Sequence, residues 1–324
     1  MENGQTSAAL ARVAAAVGSV VVGKEAALEQ LLVALLCRGH ALLEDVPGVG
    51  KTLLARSLAT VSGASFGRVQ FTPDVLPSDV TGSSVYNQKS GEFEFRAGPV
   101  FTQVLLADEI NRATPRTQSS LLEAMEERQV TVDGETRRLP EPFFVVATQN
   151  PVDLEGTFPL PEAQLDRFLV RVDLGYPSLA EEHEILTRYE RADPLATLTA
   201  VTSPEEIVAL QAARTEVLVS EEVRDYLLDV VRATRGDARV RLGASPRAAL
   251  ALHRAVQARA LIAGRAFALP DDVKALAGAV LAHRLVLSAQ ARLRGVSELQ
   301  VVASIVDGTN VPVEELDPEA SPAS

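Results

Sequence analysis

A short apolar run, a glycine-punctuated loop and the start of a helix follow one another without a break over residues 40–59, and this order constrains the chain more than any other feature. His40-Ala41-Leu42-Leu43-Glu44 reads as a strand, and residues 53–59 continue as a helix that Gly63 can terminate. Between them lies Asp45-Val46-Pro47-Gly48-Val49-Gly50-Lys51-Thr52. Gly48 and Gly50 let the backbone curl so that successive amide N–H groups point inward as a concave nest for an anion. Lys51 adds a cation able to reach terminal phosphates, and Thr52 adds a hydroxyl suited to Mg²⁺. The helix that starts here places the positive end of its dipole beneath them. The octapeptide therefore reads as a phosphate-binding loop. It departs from the usual pattern at one place, with Asp45 where glycine is expected five positions before Gly50. That position precedes the amides that wrap a phosphate, so no phosphate-facing part is lost.

With 324 residues the chain is long enough for two ordinary domains, each with its own core. Hydrophobic residues make up 47% and charged residues 23%, which fits a soluble globular protein and excludes a disordered or fibrous one. No apolar stretch of about eighteen uncharged residues occurs, so no membrane span is expected. Met1-Glu2-Asn3-Gly4-Gln5-Thr6 lacks the basic-then-apolar plan of a secretory signal, and a cytoplasmic location is the expectation. Cys37, the only cysteine, sits in an apolar helical run, where burial accounts for it and no internal disulfide is possible. A formal charge of -12 argues against a nonspecific grip on nucleic acid, which needs clustered cations against phosphates.

Along the chain, residues 8–16 and 25–37 read as helices ahead of the first strand. Val85-Tyr86 and Phe93-Glu94-Phe95, separated by Lys89-Ser90-Gly91, predict a small hairpin. Residues 101–107, 143–148 and 168–172 are buried-strand candidates, and residues 117–127 form an amphipathic helix with Leu121, Leu122 and Met125 on one side. Asp133-Gly134, between Gln129-Val130-Thr131-Val132 and Arg137-Arg138-Leu139, is the strongest hairpin signal present. From Pro177 onward strand signals fade and helices take over. Ser203-Pro204-Glu205-Glu206 reads as a capping box, and Ser220 and Ser245-Pro246 mark two further helix starts. The closing segment is rich in Pro, Ser and Glu and reads as a disordered tail.

Four further signals carry chemistry. Val104-Leu105-Leu106-Ala107 runs into Asp108-Glu109, two carboxylates at a strand end, where ligands of open α/β sheets bind. Asp108 is placed to hold Mg²⁺ through its water shell, and Glu109 is a candidate base toward an attacking water. A solvated acidic strand end is the bland alternative, outweighed here by the upstream phosphate loop. Asn150 ends a strand that should lie beside the Asp108 strand, and its amide can hold a water without taking its proton; alone it would read as a turn residue before Pro151. Arg167 precedes the last core strand, where it could stabilise charge on a neighbouring subunit's γ-phosphate or merely pair with Asp166 at the surface. Arg247 lies in the first turn of a helix, where a cation opposes the helix dipole by about 0.3–1 kcal/mol unless a phosphate lies nearby or solvent screens it.

These signals, in this order and ahead of a helical C-terminal part, resemble an AAA+ ATPase, and more closely the MoxR family. The resemblance rests on residues 43–52, on Phe71-Thr72-Pro73-Asp74 with Leu76-Pro77-Ser78-Asp79-Val80-Thr81-Gly82, and on Ala107-Asp108-Glu109-Ile110-Asn111-Arg112. It continues through residues 118–130, Ala147-Thr148-Gln149-Asn150-Pro151, residues 160–168 and Ser245-Pro246-Arg247, spanning about residues 20–285. It implies an α/β P-loop NTPase core, a parallel sheet with helices on both faces over residues 1–177, followed by a smaller all-α lid over 178–310 and a tail over 311–324. It also implies that residues 45–52 are Walker A, Asp108 and Glu109 Walker B, Asn150 sensor 1, Arg247 sensor 2 and Arg167 the arginine finger. ATP and Mg²⁺ are the implied cofactors, with Thr52 and Asp108 at the metal. Hairpins near 83–95 and 129–140 resemble the helix-2 insert and the pre-sensor-1 hairpin, found together in hexameric rings. Members of the family resemble chaperone-type ATPases that act with von Willebrand factor A domain proteins in complex assembly or metal-cofactor insertion. A nucleotide-gated scaffold with incidental hydrolysis, or a DNA-directed motor disfavoured by the charge, stands as the alternative.

Overall fold

The computed structural model describes residues 3–150, 156–190 and 193–312. Five strands, β1 (Ala41–Glu44), β2 (Phe66–Gln70), β3 (Val104–Asp108), β4 (Phe144–Gln149) and β5 (Val170–Val172), form one parallel sheet in the order β2-β3-β4-β1-β5. β3 is buried at every position and β4 at all but its last, as expected of parallel strands covered on both faces. Alternation along the strands divides the core in two. Leu43, Leu106 and Val146 face the helices Asn3–Gly18, Glu25–Leu36 and Lys51–Val61, whereas Leu42, Leu105 and Val145 face Leu121, Leu122 and Met125 of the helix Pro115–Glu127.

β2 escapes the sequence reading. Of Phe66-Gly67-Arg68-Val69-Gln70 only Val69 is buried, so this edge strand has no apolar run to betray it. It pairs with β3 from Phe66↔Val104 to Gln70↔Asp108, which sets Arg68 and Gln70 beside the acidic strand end. Both expected hairpins form, Gly82–Asn87 with Glu92–Ala97 and Gln129–Val132 with Glu135–Arg138. In the second, Asp133 and Gly134 take φ of 53° and 81°, the pair of positive angles that a tight two-residue turn requires.

The C-terminal part is built from helices whose starts were legible. Ser203, Ser220 and Ser245 accept hydrogen bonds from the amides of Glu206, Val223 and Ala248 at 3.2, 3.4 and 3.3 Å. At Ser203 the box is only half made, because Glu206 instead accepts from the Thr202 hydroxyl at 2.7 Å. The helical part also contains a two-stranded pair, Val240–Leu242 with Val286–Leu287, too short to register as alternation and so absent from the all-helical expectation. Asp272, fully buried, accepts from Arg259 at 2.5 Å and from Arg265 at 2.6 and 2.8 Å, locking the helix Pro246–Ile262 to the helix Pro270–Leu281. The expected tail lies outside the described residues from residue 313 on.

Arg284 joins the two parts. Its guanidinium is buried and donates to Asp166 Oδ1 at 2.6 Å and to the carbonyls of Phe168 and Leu169 at 2.7 and 3.1 Å. Beside it, His283 Nε2 meets the Phe168 carbonyl at 3.0 Å. On the core side, His40 Nδ1 accepts the Val145 amide at 3.0 Å, which leaves its proton on Nε2 facing the Met125 carbonyl at 3.1 Å. Burial, and then the charge of Arg128, push the His40 imidazole down to about 3; burial and Arg284 push His283 well below its ordinary value.

Both histidines have folded-state values below the 6.5 of an unfolded chain. The unfolded state therefore binds the extra protons as pH falls, and their contribution to stability is full above 6.5 and lost progressively below it. We expect His40→Gln to remove about 1.4 kcal/mol per pH unit from the acid-side slope of stability between about pH 6 and 4, read from urea titrations. Arg284→Met takes one donor from each of Asp166 and the carbonyls of Phe168 and Leu169 and should cost about 3–5 kcal/mol in the same measurement.

Candidate active site

The phosphate loop follows β1 directly and ends on the helix Lys51–Val61. Gly48 and Gly50 have φ of 88° and 96°, and a Cβ added at either would meet nothing within 4 Å. Both glycines are thus required by conformation, and the inner side of the loop is open. Val49 is buried beneath it while Pro47 and Gly48 are exposed. Lys51 Nζ donates to the Asp45 carbonyl at 2.7 Å. Burial lowers the Lys51 ammonium from its ordinary value, against the opposing charges of Asp108, Asp45 and Glu109, so the lysine already sits among the site's carboxylates.

Asp45 is far from incidental. It is buried, its Oδ1 accepts the Val46 amide at 2.7 Å, and its Oδ2 accepts the amides of Leu174 and Gly175 at 2.8 and 2.6 Å. Burial works to raise its carboxyl, but a hydrogen bond with Asp173 and the three amides outweigh it and hold Asp45 below the usual carboxylate range. Asp173 is pushed up by burial and by Asp45.

At the end of β3, Asp108 Oδ1 accepts the Thr148 hydroxyl at 2.6 Å and Oδ2 accepts Arg68 at 2.7 Å. Glu109 has φ 57° and ψ 49°, a left-handed conformation that is uncommon outside glycine and concentrates at functional sites. Its amide donates to the same Thr148 oxygen at 2.8 Å, and its Oε2 accepts Gln70 and Arg112, each at 2.9 Å. Thr148 thus orients both acids from β4. Asn150 is buried one residue past Gln149, whose carbonyl accepts the Asp45 amide at 3.2 Å, which sets it beside the entry to the phosphate loop. Lys51, Asp108, Glu109 and Asn150 therefore gather at one end of the sheet, with Thr52 in the first turn of the loop helix. Arg68, Gln70 and Thr148 were missed from sequence. They come from an unrecognised edge strand and from a threonine that reads as ordinary strand content.

Beside the loop lies a cavity of about 350 Å³ lined by Val20, Val21, Val22, Pro177, Ile185 and Tyr189, with Gly48 and Gly50 at its edge. It is an apolar slot next to an anion nest, of the size that small-molecule sites have.

Arg167 and Arg247 lie elsewhere. Arg167 pairs with Glu126 at 3.1 Å, and Arg247 pairs with Glu126 at 3.3 Å and with Asp166 at 3.6 Å. Both line a cavity of about 580 Å³ with His40, Gly39 and Arg284, at the start of β1. The phosphate loop leaves from the other end of that strand, about 16 Å away at strand rise. The first-turn position of Arg247 is thus balanced by two carboxylates of its own chain, and the structure does not bring it to the phosphate loop of the same protomer.

Residues 40–170 match the family described as "ATPase family associated with various cellular activities (AAA)", and residues 232–305 match the AAA lid domain. The chain is 50% identical over 298 residues to the YeaC protein of Bacillus subtilis, covering 92% of this chain and 93% of that one. It is 43% identical to Chaperone MoxR1 of Mycobacterium tuberculosis (90% and 80% covered) and 34% identical to Protein MoxR of Paracoccus denitrificans (85% and 87% covered). A crystal structure of a candidate ATPase from Cytophaga hutchinsonii superposes with a TM-score of 0.90 at 38% identity, over 96% of this chain and 97% of that one. With its parallel core, helical lid and acid pair facing a phosphate loop, the chain belongs to the MoxR family of AAA+ ATPases.

Proposed function

We propose that the chain hydrolyses ATP with Mg²⁺ at sites completed between neighbouring copies in a hexameric ring, and that the ring remodels a protein client. One observation carries this reading: the phosphate loop and the acid pair stand at one end of the sheet, and Arg167 and Arg247 stand together at the other. No protomer can close its own site with them, but a head-to-tail neighbour can.

Each residue then has a role. The amides of residues 48–51 cradle the phosphates, and Lys51 neutralises the terminal ones. Among the described residues no cluster of three or more His, Cys, Asp or Glu side chains could hold a metal by itself. That fits Mg²⁺, which one carboxylate and a hydroxyl retain only together with phosphate oxygens. Thr52 and Asp108 would hold it, and the metal's contribution is to offset charge on the phosphates. Glu109, its carboxylate held by Gln70 and Arg112, takes a proton from the attacking water, and Asn150 positions that water. Arg167 and Arg247 exchange Glu126 for the neighbour's γ-phosphate. The slot lined by Val20–Val22 and Tyr189 receives the base. Residues 1–177 are the nucleotide-binding core and 178–310 the lid, with the two hairpins directed at the client. The relative named as a chaperone supports the remodelling role, and a von Willebrand factor A domain partner follows from family resemblance.

Glu109→Gln should retain ATP affinity and lose turnover by about a hundredfold or more, with steady-state hydrolysis and calorimetric binding as the measurements. Lys51→Ala should lose binding itself. Arg167→Ala and Arg247→Ala should each bind ATP normally, and Arg167→Ala should fall about a thousandfold in hydrolysis. Mixing Arg167→Ala with Lys51→Ala protein should restore part of the activity, since one partner supplies the loop and the other the arginine. Mixtures as inactive as their parents would sink the shared site.

A further inference from the structure

Two buried side chains of opposite charge grip the backbone of the same two residues. Asp45 Oδ2 accepts the amides of Leu174 and Gly175, while Lys24 Nζ donates to their carbonyls at 2.8 and 3.1 Å. Gly175 has φ 62°, and the chain turns there out of the sheet toward Pro177 and the helix Leu179–Tyr189. None of the residues of that helix is buried, so packing alone does little to fix its position. Yet Pro177, Ile185 and Tyr189 form one side of the apolar slot. Lys24 ends the segment that carries Val20, Val21 and Val22, the opposite side, and Asp45 begins the loop that forms the floor.

The three walls of the slot therefore meet at one charged clamp. We propose that Asp45 and Lys24 are positioning residues, Asp45 tying the phosphate loop and Lys24 the Val20–Val22 wall to the Leu174–Gly175 hinge, so that the loop closing on phosphate and the helix closing on the base are one movement. The inference rests on the nucleotide reading of the site. It also accounts for the departure at Asp45: a glycine there would delete three hydrogen bonds to backbone amides, two of them across the hinge, and leave the loop free of the helix. Hydrogen bonds to an ionised acceptor in a buried setting are the strong kind, which makes this connection stiff.

Binding of ATP and of inorganic tripolyphosphate, measured by calorimetry, tests the clamp. Asp45→Gly, which restores the usual loop sequence, should weaken ATP binding about tenfold and leave tripolyphosphate binding within about twofold. Lys24→Met, which keeps the apolar stem and has no bond to the loop, should give the same split. Asp45→Asn retains one acceptor oxygen for the hinge amides and should recover most of the ATP affinity. Amide exchange over residues 177–189 should slow on ATP addition in the parent and not in Asp45→Gly or Lys24→Met. Equal losses for both ligands, or unchanged ATP binding in either charge-removing variant, would overturn the clamp. If Asp45→Gly does not fold, Lys24→Met decides alone. A parent protein that binds neither ligand would instead overturn the nucleotide reading beneath it.

Discussion

The arrangement of this protein hangs on one buried guanidinium. Arg284 enters the core from the helical part and finds an acceptor for each side of its fork, the Asp166 carboxylate and the carbonyls of Phe168 and Leu169. A buried cation is costly unless its donors are met, and the planar arginine fork meets them where a lysine could not. Residues 166–169 also carry Arg167. Fastening the lid to this segment places the helix Pro246–Ile262, and with it Arg247, against the same carboxylates that Arg167 uses. Fastened at the start of β5, the lid holds both arginines at the end of the sheet opposite the phosphate loop.

Much of the fold was legible because its signals are local. The phosphate loop is written in backbone requirements at Gly48 and Gly50, the 129–138 hairpin in Asp133-Gly134, and the buried strands β3 and β4 in unbroken apolar runs. What was not legible depends on partners distant in sequence. β2 is an edge strand held by main-chain pairing to β3, so its sequence had no need to be apolar. Arg68, Gln70 and Thr148 acquire meaning only once the strand order sets them beside Asp108 and Glu109. Asp45 reads as a blemish in a motif until Leu174, 129 residues away, is seen to need its carboxylate. For Arg247, helix-dipole reasoning identified a cation in want of an anion. It could not tell that Glu126 and Asp166 would serve.

The electrostatic layout divides the protein between its two sheet ends. Asp45, Asp108 and Glu109 stand near Lys51 at one. At the other, Arg38, Arg128, Arg167, Arg214, Arg247 and others line a cavity in a chain whose net charge is -12. The cation-rich end also reaches inward, where it helps to keep His40 neutral.

Cys37 borders that arginine cavity but is itself buried, and burial pushes its thiol up to about 12. Nucleophilic attack on an alkylating reagent needs the thiolate, so at neutral pH this sulfur is chemically silent. The native chain accordingly offers a blank background for labelling. A cysteine introduced on the exposed helix Leu179–Tyr189, and another on a hairpin, could each carry a fluorophore without first removing the natural one. Movements of that helix and of the hairpin then become measurable in an otherwise unaltered protein.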